Sequence, residues 1–275
     1  MGQTFCPKAL LFMFRRTSSI LIALILIFSV LSCKNNEPPL EPDTDVSLLQ
    51  QDFITWWNYQ SNSIRLAGNF TALDQNSEKI SKEEFLQDLT TGDYIPIQLK
   101  SPDNSYKLFP IKDNAPVSIK QTIKSTATTE LKFYKMEGAD FPDFHWTALT
   151  GNEYSSKNTQ GKILVIKCWF INCYACIKEF PDLNELVNTY KDREDIAFIS
   201  LALDKKPALE EFLKKNNFNY QVVPDQSDFL KNDLNIRYYP THFILDKDGK
   251  VLKVVTNFED LEEAMKYDLE PEVKN

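Results

Sequence analysis

The chain has 275 residues, 43% hydrophobic and 25% charged, enough for one large or two modest folded domains, and two are expected. A formal net charge of −8 and a pI near 5.0 argue against a nucleic-acid partner, because a phosphate-binding surface needs clustered Lys and Arg and no basic stripe appears. Five cysteines scattered through this length do not make a disulfide scaffold.

The first residues read as an export signal. Lys8, Arg15 and Arg16 form a positive head, Ile20 to Leu31 is an apolar run of twelve residues, and Ser32 is a small residue before Cys33. The run falls short of the roughly twenty apolar residues that span a bilayer, so cleavage is expected. The ending Val30-Leu31-Ser32-Cys33 resembles a bacterial lipobox, and that resemblance implies a lipidated Cys33 at the mature N-terminus, a membrane anchor and a periplasm-facing location. Loss of residues 1–32 removes three cations and no acids, taking the charge from −8 to −11. Residues 33–46 then form the lipidated Cys and a tether; within it, KNNEPPLEPDTD carries three prolines and four acids, a solvated composition.

Residues 47–138 read as a small α+β domain of unassigned role. Ser47 and Gln50 have capping-box spacing ahead of Leu49, Phe53, Trp56 and Trp57, which predicts a helix. Ile64, Leu66, Gly68, Phe70 and Ala72 alternate as in a half-buried strand. Ser81 and Glu84 repeat the capping-box spacing before Phe85, Leu86 and Leu89, predicting a second helix. Further strands are expected at Ile95 to Leu99, at Tyr106 and Leu108, and at Leu131 and Phe133. Trp56 and Trp57 are assigned to packing rather than to a binding face.

The second unit, residues 139–275, opens with a predicted hairpin over Phe141–Trp146 and Asn152–Ser155. The apolar run Ile163 to Ile166 is a buried central strand ending near Trp169 and Phe170. Phe180, Leu183, Val187 and Tyr190 then recur at helical spacing, so Cys173 falls at the helix start and Cys176 within its first turn. Unpaired N–H groups and partial positive charge at a helix start favour a thiolate, which makes Cys173 a nucleophile near neutral pH. Cys176, one turn on, can attack the resulting mixed disulfide. A strand at Ile196 to Leu203, a helix around Leu209 and Phe212, a short strand at Val222 and Val223, a helical turn at Phe229 to Leu234, a hairpin through Asp246-Lys247-Asp248-Gly249 and a last helix from Leu261 to Leu269 complete the order. Helix–strand alternation of this kind implies an α/β fold, a central mixed sheet with helices on both faces.

Other chemistry finds little support. Zinc wants four ligands, and beyond the Cys pair only Cys168, His145 and His242 remain, at no recognisable spacing, so no metal and no cofactor are expected. The acids of the 246–249 turn lack the remaining ligands of a calcium loop. Cys168 is assigned to the core, and both histidines to the surface or to satisfied core positions.

Several motifs in order carry a resemblance: Phe141-Pro142-Asp143-Phe144, Gly161-Lys162, Trp169, Cys173-Tyr174-Ala175-Cys176, Pro240-Thr241 and the DKDGKV segment from Asp246. About half the chain resembles the thioredoxin-like proteins of the TlpA and ResA type, exported and often membrane-tethered thiol-disulfide oxidoreductases. The resemblance implies a thioredoxin-like fold, a redox-active Cys173–Cys176 disulfide and a cis Pro240 beside it. Tyr239, Pro240 and Thr241 would then bind an extended substrate segment through backbone groups. Glu179 coincides with the acid of the C-x-x-C-x-x-E-F-P pattern, where this residue influences the thiols and can relay a proton to or from the second one; Pro181 would kink the helix there. The expected partners are disulfide-bearing exported proteins, apocytochrome c being a familiar one in the family, and a membrane thiol donor. Asn172 and Ala175 stand where family members usually have Trp and often Pro, and Tyr238 where glycine is common, which leaves the redox potential open. Two other functions compete. A peroxiredoxin-like peroxidase would carry Thr or Ser where this chain has Phe170, and a lipoprotein binding module with a redox-inert second domain would show no reversible disulfide.

Overall fold

The computed structural model describes residues 41–269, with side chains described as far as residue 267; the segment read as an export signal and Cys33 lie outside the described residues. Among the described residues no helix is long and apolar enough to cross a membrane.

The first helical stretch is two helices. Asp45 caps α1 (Val46–Leu49) by accepting from Ser47 N, and Asp52 caps α2 (Phe53–Ser63) by accepting from Thr55 N. Two aspartates thus replace the capping box expected at Ser47. Trp56 is buried, whereas Trp57 stays half-exposed and stacks on Phe53. Strand structure is confined to β1 (Thr71–Leu73); Ile64 and Leu66, read as strand, are buried before it without strand pairing. After β2 (Lys79–Ile80), α3 (Lys82–Thr91) starts on the expected Ser81/Glu84 capping box and ends on Gly92, whose φ of 80° a side chain would strain. Strands β3 (Tyr94–Gln98) and β4 (Ser105–Pro110) complete a four-stranded sheet in the order β2-β1-β4-β3. Pro42 bridges Leu99 and Asp43 N donates to Gln98 O, so the end of the segment read as tether is held against this sheet.

Leu131 and Phe133 are not strand residues. They lie in α4 (Val117–Met136), a 20-residue helix whose buried Ile119, Ile123 and Ala127 recur every fourth position. That stripe packs on Phe85, Leu86 and Leu89, each fully buried and each contributing about 1.5–3 kcal/mol of apolar burial.

The short hairpin of β5 (His145–Thr147) and β6 (Glu153–Ser155) leads into the central strand β7 (Ile163–Trp169). Then come α5 (Tyr174–Lys178), α6 (Phe180–Thr189), β8 (Ile196–Ala202), α7 (Lys206–Leu213) and β9 (Gln221–Val223). A single π-helical turn at Phe229–Asp233 precedes β10 (Thr241–Leu245), β11 (Val251–Val255) and α8 (Phe258–Leu269). The sheet order is β11-β10-β7-β8-β9, with β7, β8 and β9 parallel and β10 antiparallel to both its neighbours. This is a thioredoxin-like fold.

Every residue of β7 is buried, because both faces of the sheet are covered. Leu164, Ile166 and Cys168 join the core on one face; Ile163, Val165 and Trp169 face the helices α6, α7 and α8 on the other. The two sheets belong to one compact unit running from Pro42 onward. Gly138 N donates to Val251 O, Lys253 pairs with Glu137 at 3.1 Å, and Arg65 pairs with Asp260 at 3.2 Å.

Candidate active site

The site begins where β7 runs out. After Trp169 the chain turns through Phe170, Ile171 and Asn172, and Ile171 N donates to Asp204 Oδ2 at 2.7 Å, tying the turn to the loop after β8. Cys173 is the N-cap of α5, in extended conformation, and its sulfur accepts from Cys176 N at 3.2 Å. Cys173 and Cys176 form a disulfide with Cα atoms 5.3 Å apart. Cys173 is 7% exposed and Cys176 is fully buried, so only the first cysteine reaches the surface. The helix N-terminus that would favour a Cys173 thiolate is therefore present, with the N–H of Cys176 already directed at the sulfur.

Trp169 backs the pair. It is fully buried, with Phe180, Phe212 and Phe218 rings 5.1, 5.9 and 5.8 Å from its own. Opposite lies the Tyr239–Pro240 bond, which is cis. The Tyr239 ring meets Phe170 edge-on at 5.6 Å and packs on the cluster of Trp169, Cys173 and Cys176, which brings the proline loop against the disulfide. Thr241 is fully buried and gives its hydroxyl proton to Tyr238 O at 2.7 Å, so its side chain shapes the loop and only backbone groups remain for an extended segment. Tyr174 and Tyr238 are exposed aromatic groups on the two sides of the site.

Glu179 sits at the joint between α5 and α6, ending the one and capping the other, and Pro181 falls in the first turn of α6. A proline there cannot donate to the turn before it, which breaks the helix where the sequence pattern expects. The break turns the Glu179 side chain inward. Its Oε2 accepts from Lys167 Nζ at 2.5 Å and lies 3.1 Å from His242 Nε2.

Lys167 is a residue that the sequence reading passed over, and His242 one that it assigned to the surface or to a satisfied core position. Register explains their meeting: His242 on β10 faces Lys167 on β7, which faces Ser200 on β8, a polar row across an apolar sheet, all fully buried. The assignment of His242 to a satisfied core position holds in part only, since Nε2 has Glu179 while Nδ1 is buried without a hydrogen-bond partner. His145 is exposed on β5 and takes no part in the site. The available signal was a lysine inside a run predicted to be buried on both faces, which required an acid partner.

Electrostatics follow from this packing. Burial alone would push the Glu179 carboxyl up, but the His242 hydrogen bond and the Lys167 charge outweigh it and hold the group below its ordinary value. Burial pulls the Lys167 ammonium down, opposed by Glu179, and burial with the nearby Lys167 charge holds the His242 imidazole down. Glu179 is thus ionised beside a neutral imidazole, and an ionised carboxylate needs Nε2 as the N–H donor. On the other face, burial pushes the Cys168 thiol far up, leaving it unreactive.

These directions fix the sign of an acid response. The unfolded chain takes up a proton at His242 below about pH 6.5 that the folded chain resists, and another at Glu179 below about 4.5. Stability present above pH 6.5 is therefore lost as pH falls through both depressed values. Urea midpoints at pH 7.5, 5.5 and 4 (about) are expected to decline in that order, with the first step reduced in His242→Gln; a midpoint unchanged down to pH 4 contradicts the assignment.

Residues 138–254 match the AhpC/TSA family. The thiol-disulfide oxidoreductase ResA of Geobacillus kaustophilus is 30% identical over 120 residues, covering 43% of this chain and 68% of the relative. ResA of Bacillus thuringiensis is 31% identical over 135 residues, covering 48% and 78%. A solved thioredoxin domain of a thiol-disulfide oxidoreductase from Bacteroides vulgatus is 21% identical, covers 49% of this chain and 98% of its own, and superposes with a TM-score of 0.45. On the identity and coverage of the two ResA sequences, the chain belongs to the ResA family of thiol-disulfide oxidoreductases.

Proposed function

We propose that this oxidoreductase works as a membrane-tethered, periplasm-facing reductant of disulfides in exported proteins. The observation that carries the exchange chemistry is the placement of Cys173 at a helix N-cap, with Cys176 buried behind it. In the reduced enzyme the Cys173 thiolate attacks one sulfur of the partner disulfide. A Cys173–partner bond forms, and the other partner sulfur leaves as a thiolate and takes up a proton. Cys176 then gives up its proton and attacks Cys173 Sγ, the Cys173–Cys176 bond forms, and the second partner sulfur departs. Two electrons pass to the partner and the enzyme is left as the disulfide. A thiol donor at the membrane restores it.

Glu179, one turn beyond Cys176, acts on the second thiol from beneath the site, and the backbone around Tyr239 and Pro240 receives the extended client, for which apocytochrome c is one candidate. Residues 139–275 carry this chemistry, and residues 47–138 form a module packed beside it. The lipobox at Cys33 supplies the tether. Two measurements test the reading together. Palmitate labelling of cells expressing the full chain should mark the protein and be lost in Cys33→Ala, and the reduced protein should reduce a periplasmic client disulfide faster than its oxidised form introduces one. An unlabelled protein, or one that oxidises clients faster than it reduces them, contradicts it.

A further inference from the structure

Lys167 occupies a position that packing alone would give to an apolar residue. Its neighbours on the same face of β7 are Val165 and Trp169, it is fully buried, and a buried cation loses its hydration unless an acid compensates it. Glu179 compensates it. The acid itself is placed by the helix break one turn after Cys176, so the lysine reaches the active site through this carboxylate.

We propose that Lys167 is a positioning residue that keeps Glu179 ionised in both redox states and cancels its charge beneath Cys176, so that the thiols respond to a neutral ion pair and not to a bare acid. The proposal rests on the reading that Glu179 acts on Cys176. The surrounding groups support it from each element packed there. His242 of β10 is neutral and gives Glu179 a hydrogen bond, while Ser200 of β8 and Tyr220 just before β9 bring only neutral hydroxyls, the latter held protonated by complete burial. Cys168 faces the opposite side of the sheet. Lys167 is thus the one buried cation that opposes Glu179 among the described residues. A carboxylate fixed in this way takes up no proton itself, and the proton released by Cys176 passes to solvent or to the departing client sulfur.

The consequence is a shift of defined sign. Lys167→Met leaves the carboxylate unbalanced, which disfavours the Cys176 thiolate, whereas removing the acid as well leaves no charge at this position. With one neighbouring charge worth about one to three pH units, the shift should be clear. The measurement is the thiolate absorbance near 240 nm in a Cys173→Ser background, where Cys176 is the titrating thiol. Lys167→Met should raise its midpoint by about one pH unit or more, and the double variant Lys167→Met with Glu179→Gln should return it close to the parent. A Lys167→Met midpoint equal to the parent overturns the proposal while leaving Glu179 in place. If the double variant stays as high as Lys167→Met, the shift does not come from the carboxylate and the reading of Glu179 itself fails. A midpoint that falls in Lys167→Met assigns the lysine a merely structural role and also overturns the proposal. Should Lys167→Met not fold, the carboxyl signal of Glu179 in the unmodified protein decides: ionised at about pH 6 in both oxidised and reduced forms is expected, and a protonated group in either form contradicts it.

Discussion

Cys173→Ser is expected to reduce disulfide-reductase turnover to the background of free thiols, and Cys176→Ser to leave partner proteins covalently attached. The two cysteines are expected to differ in role because they differ in position. Cys173 is at the helix start and 7% exposed, whereas Cys176 is fully buried. Serine at 173 has a hydroxyl far less acidic than a thiol, so the attacking anion is lost and with it the first bond. Serine at 176 spares that first bond but removes the group that breaks it. Non-reducing gels of cell extracts should therefore show new high-mass species in Cys176→Ser that collapse on adding a dithiol, and none in Cys173→Ser. Equal turnover in either variant and the parent sinks the assignment.

Trp169→Ala is expected to cost about 3–5 kcal/mol of stability, the range for emptying a large aromatic site that cannot collapse. The surroundings argue for the upper part of that range. Trp169 ends the central strand, its O accepts from Leu203 N, and its ring is enclosed by Phe180, Phe212 and Phe218, which come from three different segments. No one of these can fill the void without leaving the others. Because domains of this kind are stable by only about 5–15 kcal/mol, the loss is a large share of the total. Urea unfolding followed by far-UV circular dichroism measures it, and a change below about 1 kcal/mol contradicts the packing described. The same ring backs the disulfide, so the equilibrium between oxidised and reduced forms should shift as well.

Much of the site was legible because its signals are local. A continuous apolar run, two cysteines three apart, and helical spacing from Phe180 onward placed Cys173 at a helix start without knowledge of the rest of the chain. Ser81 with Glu84 marked a helix by a spacing that has one common structural meaning. The misses are of other kinds. Leu131 and Phe133 are two apart and mimic strand alternation, while the true signal, Ile119, Ile123 and Ala127, spans several turns and is visible only in a longer window. Ile64 and Leu66 alternate as a strand would, yet they are held by burial in a loop without a ladder. The meeting of Lys167 and His242 was missed because it depends on the pairing of β7 with β10, strands far apart in sequence, and no spacing within either strand announces it.

The most direct test of exchange at Cys173 and Cys176 is the redox state of the pair in a graded series of glutathione buffers, read by thiol alkylation and gel shift. Both cysteines should change together in a single reversible two-electron transition that is absent in Cys173→Ser, with Cys168 unmodified throughout in the folded protein. A disulfide that never opens within the buffer range, or cysteines that titrate independently, would contradict the account.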